Sequence, residues 1–201
     1  MKNTKDIEMK QLKVLSEITN CREKISALYF LYNSSILEAE QQREEISGYF
    51  EQLIDLKDEL NDLHNKIYDF KKSERVSAFN KNKTRINKLN QDATTAQFNF
   101  EDLSKKYRIA LKDCNVLKKQ YKEEFNKLVL EFNALNKQNP NDTIKSGFKV
   151  QYKHIVAIFE KIEAMVSDYN VKRNQLEQDT LKFVELFNIF SGILTKIKAV
   201  A

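Results

Sequence analysis

A chain of 201 residues with three glycines, one proline and 31% charged residues lacks the turn residues a sheet protein of this size needs, and its regularly spaced apolar side chains exclude a wholly disordered polymer. Its two cysteines, Cys21 and Cys114, give neither a disulfide framework nor a zinc motif. The net charge of +5 is unevenly placed: residues 1–70 carry nine Lys and Arg against fourteen Asp and Glu, residues 71–92 seven against two, and residues 93–201 eighteen against thirteen.

The first ten residues, MKNTKDIEMK, have no apolar core of a signal peptide, so a soluble, cytoplasmic chain is expected. From Ile7 to Phe70 a seam steps by alternating fours and threes without a break, through Val14, Cys21, Leu28, Ala39, Ile46, Leu53, Leu60 and Ile67; only Gln11, Ser35 and Gln42 on it are polar. Such a repeat holds one stripe of a helix against a neighbour. As a helix, the segment would be about 95 Å long.

The next stretch, DFKKSERVSAFNKNKTRINKLNQD at 69–92, holds Lys71, Lys72, Arg75, Lys81, Lys83, Arg85 and Lys88. The apolar rhythm falters here, and Phe70 and Ile86 are out of heptad register with each other. Asn80 and Asn82 suit turn conformations, and Ser73, Ser77 or Thr84 suit the cap of a new helix. The stretch therefore reads as the basic end of a helical hairpin. A second seam follows from Ile86 through Phe100, Leu103, Tyr107, Ala110, Cys114, Leu117 and Tyr121, then Phe125, Leu128 and Phe132. The two successive steps of four around Tyr121 form a stutter.

NKQNPNDT at 136–143 contains the only proline. Pro140 cannot continue a helix, and Asn141, Asp142 and Thr143 are good caps for the next one. The third seam runs from Ile144 to Val200, with Gln151, Lys172 and Asp179 as its polar members. The expected fold is all-α: one elongated domain over 1–201, an antiparallel bundle of three coiled-coil helices at about 4–72, 76–137 and 143–200. The basic connector lies at 71–92 and the turn at 136–143. Aromatic side chains on more than one face point to a homodimer that buries the remainder.

Chemistry is sparse. Gly48, Gly147 and Gly192 are isolated, so no phosphate loop is present. Neither His64 nor His154 has a second ligand three or four residues away. Carboxylates at 44–45, 58–59 and 123–124 are adjacent on helices and point in different directions. Neither enzyme activity nor a cofactor or metal is expected, and the cysteines read as buried thiols.

The basic residues of 71–88 are the candidate contact for anionic groups, with Phe79 a candidate wedge. Scarce arginines and the lack of a zinc finger or basic zipper argue against sequence-specific nucleic-acid binding. The wide apolar face near the C-terminus, with Phe183, Phe187, Phe190, Ile193, Leu194 and Ile197, is the candidate face for a partner helix, core packing being its plainer role. The expected function is a non-enzymatic coiled-coil scaffold binding protein partners through helical faces. The alternative is a dimeric, peripheral membrane module contacting anionic lipid. The layout of three helices near 60 residues with local basic charge resembles that of BAR domains, and the hairpin is similar to stalk proteins of secretion machines. Both resemblances are of architecture.

Overall fold

The computed structural model describes residues 2–200. Its elements are α1 (Lys2–Tyr68), α2 (Arg75–Ile109), α3 (Lys112–Gln138) and α4 (Asp142–Lys198). The all-α bundle expected from the seams is what forms, with no strand among the described residues. Among the described residues, no helix is long and apolar enough to cross a membrane.

Contacts divide the chain into two compact units, a division that the uninterrupted seams of α1 and α4 do not mark. The first comprises the chain up to Leu37 together with Ala110–Asn170. Here α1 and α3 run antiparallel: Gln11 Nε2 donates to the Asn139 carbonyl at 2.8 Å, Lys24 Nζ to Glu124 at 2.9 Å and Tyr32 Oη to Asn115 Oδ1 at 2.7 Å. α4 returns parallel to α1, with Asn141 Nδ2 donating to Glu8 at 3.0 Å. The backbones approach closely at Gly147, where an added Cβ would stand 3.3 Å from Leu15. The core joins Ile18, Cys21, Ile25, Phe125, Phe132 and Phe148, with the last two rings stacked at 4.1 Å. Each such side chain, fully buried, contributes about 1.5–3 kcal/mol before entropy is counted.

The second unit comprises Glu38–Ile109 and the chain from Val171 onward. Its helices repeat the up, down, up order. Glu59 of α1 pairs with Arg85 of α2, and Lys172 of α4 with Glu40 of α1 at 3.2 Å. Phe100 of α2 stacks on Phe183 of α4 at 3.8 Å, and Leu53, Leu60, Ile67, Ile86 and Phe190 fill the rest of this core.

Four details depart from expectation. α1 ends at Tyr68, the turn occupies residues 69–74, and Phe70 is 49% exposed, so the first seam closes at Ile67. Asn80 and Asn82 lie inside α2, where Asn82 Nδ2 donates back to the Ala78 carbonyl at 2.9 Å. The second segment is interrupted at Ala110–Leu111, although neither glycine nor proline stands there. Finally, the stutter comes earlier. The buried series Ala96, Phe100, Ser104, Tyr107, Leu111, Cys114 places the two successive steps of four at Phe100 and Ser104. Ser104 and Leu111 thereby take the core positions expected for Leu103 and Ala110.

Candidate anion-contact site

The α1–α2 turn is built by Arg75. Its guanidinium donates to the carbonyl of Tyr68 at 2.9 Å and to that of Phe70 at 3.1 Å, and lies 4.6 Å from the centre of the Tyr68 ring. The Tyr68 carbonyl belongs to the end of α1, where the last turn of a helix leaves acceptors unsatisfied and favours a cation, and that of Phe70 lies just beyond it in the turn. The Tyr68 hydroxyl in turn donates to the Lys196 carbonyl at 3.3 Å, tying the turn to the end of α4. Ala78 and Phe79 are buried beneath it. Phe79 is therefore a core residue, which removes it as a wedge.

The seven basic residues separate into two groups. Arg75 closes the turn, and Arg85 forks onto the Glu59 carboxylate, whose hydrogen bonds from Arg85 hold it below the ordinary carboxylate range. Lys71, Lys72, Lys81, Lys83 and Lys88 are exposed and form no ion pair among the described residues. The fold adds Lys66, on the last turn of α1, and the exposed Lys196 and Lys198 of α4. Sequence reasoning missed Lys196 and Lys198 because they lie far from 71–92 in the chain, and Lys66 because it falls on α1, just before that stretch. A signal existed, since basic residues in the last turns of α1 and α4 are expected to meet if three helices alternate in direction. Lysine-rich and solvated, the site offers mobile point charges to anionic oxygens instead of a rigid bidentate fork.

The candidate partner-helix face has another fate. Phe183, Phe190, Leu194 and Ile197 are buried within the chain, while Phe187 and Ile193 are half-buried. Phe183 sits between Phe100 and Phe50, so most of this face is occupied by the chain's own core.

Elsewhere, an open cleft of about 510 Å³ in the second unit has Phe50 and Phe100 in its lining and Glu40, Arg43, Asp179 and Lys182 on its walls. Four of its five charged residues pair locally: Arg43 reaches Glu40 at 3.8 Å and Lys182 reaches Asp179 at 3.5 Å, while Glu44 also lines it. His64 lies 4.4 Å from the Tyr68 ring, centre to centre, and His154 is exposed. Burial pushes the Cys21 thiol up to about 11, with Glu124 adding to the effect, so it is a poor nucleophile at neutral pH. Comparison with protein-family models, with curated proteins and with solved structures returns no match.

Proposed function

We propose that the chain is a non-enzymatic helical scaffold that assembles proteins along its outward helix faces. The observation that carries this reading is a pair of large apolar residues on α1. Phe30 and Leu37 are 66% and 60% exposed and stand one heptad apart. Phe30 lies two residues from both Leu28 and Tyr32, which are buried, so it projects from the opposite side of the helix. The inward seam is filled without them. Apolar side chains repeated on one outward stripe fit the helix-in-groove mode of protein recognition.

A photo-crosslinking side chain placed at position 30 or 37, with Glu23 on the same outward stripe as control, tests the proposal. A discrete protein is expected to crosslink at 30 and 37 and not at 23. Its purified form should bind Phe30→Ser/Leu37→Ser about tenfold or more weakly. Crosslinking that ignores position would overturn the proposal.

A second reading, the peripheral membrane module, is favoured by the unpaired lysines of the α1–α2 turn. Juxtamembrane lysines gain about 1 kcal/mol each against an anionic bilayer. Co-sedimentation with anionic and neutral vesicles at low and high salt tests it. Binding should need anionic lipid, fade with salt, and weaken when Lys71, Lys72, Lys81 and Lys83 become Gln.

A further inference from the structure

We propose that the α1–α2 turn enters an anionic bilayer end-on, with Phe70 and Val76 inserted at headgroup depth and the surrounding lysines on lipid phosphates. The inference rests on the membrane reading above and gives it an orientation and an inserted group.

Phe70 and Val76 are 49% and 45% exposed, flanking a turn that Arg75 fixes through its bond to the Phe70 carbonyl itself. Neither is needed to close the core at this end, because Ile67, Ala78, Phe79 and Ile86 already do so. A lone exposed apolar side chain is ordinary. Two beside a pinned turn, with Lys71 and Lys72 in it, Lys66, Lys81 and Lys83 on the adjacent turns of α1 and α2, and Lys196 and Lys198 at the adjoining helix end, form a different surface. It has an apolar centre and a cationic rim, the composition of segments that lie in the membrane interface. Asp62, Asp69 and Glu74 are the exposed acids of the same end, and lysines outnumber them.

Nucleic acid is the competing polyanion. Its unpaired bases ask for flat stacking partners, and its base edges for forked guanidiniums. Val76 offers no flat face, and both nearby guanidiniums are committed, Arg75 to backbone carbonyls and Arg85 to Glu59. A bilayer takes an aliphatic and an aromatic side chain alike, and solvated lysines suit its phosphates.

The chain contains no tryptophan, so Phe70→Trp places a single reporter at the proposed point of entry. Emission is recorded with vesicles of phosphatidylcholine alone, with vesicles containing phosphatidylserine, and with single-stranded DNA. A blue shift is expected only with phosphatidylserine vesicles. In the same background, each of Lys71, Lys72, Lys81 and Lys83 changed to Gln should weaken binding roughly fivefold. Phe70→Ser/Val76→Ser should weaken binding in co-sedimentation while its melting curve stays that of the parent. Vesicle binding without a blue shift overturns insertion and leaves the electrostatic reading standing. No vesicle binding overturns both, and a blue shift with DNA alone transfers the site to nucleic acid.

Discussion

Three of the six polar residues that interrupt the seams tie helices together, whereas Asp179 pairs along its own helix with Lys182. Gln11 is buried and donates to the Asn139 carbonyl, Ser35 lies 3.6 Å from the Cys114 sulfur, and Lys172 pairs with Glu40. Spacing alone showed where each sits on its helix but not its partner, because the partner lies on another helix at a distant sequence position. The same limit explains Phe183. Its seam position was legible, whereas its choice between core and partner depended on Phe100 being opposite. Phe183→Ala removes one side of a stacked pair and opens a cavity, so a loss of about 3–5 kcal/mol is expected in a denaturant titration. A variant as stable as the parent would mean that this ring is not packed. Cys21 makes a different prediction. Its folded pKa of about 11 exceeds the ordinary value of 9.0, so the unfolded chain gives up the proton first. The contribution is fully present below pH 9 and drains away as pH rises toward 11. Cys21→Ala should flatten the fall in stability over that window. Unchanged pH dependence in the variant would remove Cys21 as its source.

Among the elements, boundaries set by backbone chemistry were legible and those set by tertiary contact were not. Pro140 forbids continuation, and the structure starts α4 where the capping residues predicted: Asn141 Oδ1 accepts from the backbone N–H groups of Thr143 and Ile144, both at 3.1 Å. Asn141→Ala removes this cap together with the bond to Glu8. A loss of about 1 kcal/mol is expected, read as a lower unfolding midpoint, and Asn141→Asp should restore part of it. Equal stability of the Ala variant would show that the helix start is held by packing alone. The α1–α2 turn has no such enforcer. It is made by the Arg75 guanidinium reaching back across the turn to the Phe70 and Tyr68 carbonyls, a role that nothing in the sequence distinguishes from those of the six other basic side chains. The break at Ala110–Leu111 was equally hidden, since Leu111 begins α3 without a side-chain cap. Its only trace was the slip in heptad register, which the structure places upstream, at Phe100 and Ser104.

For the molecule as a whole, the seams fixed the fold class, while the proposed scaffold function has no comparable signature, because its specificity would lie on exposed faces that periodicity does not constrain. The apolar surface left over also bears on self-association. A homodimer was expected on the ground that aromatic faces would remain uncovered. Of the phenylalanines, however, Phe30, Phe70 and Phe98 are the exposed ones, and the residues of all three seams other than Phe70 are buried or half-buried within the chain. A stable interface needs about 1,200–2,000 Å² of total buried surface. A two-fold dimer has to build that area from one surface meeting itself, whereas a different protein can bring a complementary groove and its own charged rim. Sedimentation equilibrium is therefore expected to return the single-chain mass of 23.7 kDa. Twice that mass, reverting to one chain in Phe30→Ser/Leu37→Ser, would instead make a second copy of this chain the partner on the α1 stripe. A doubled mass that survives those substitutions would put self-association on a different surface and leave the stripe to another protein.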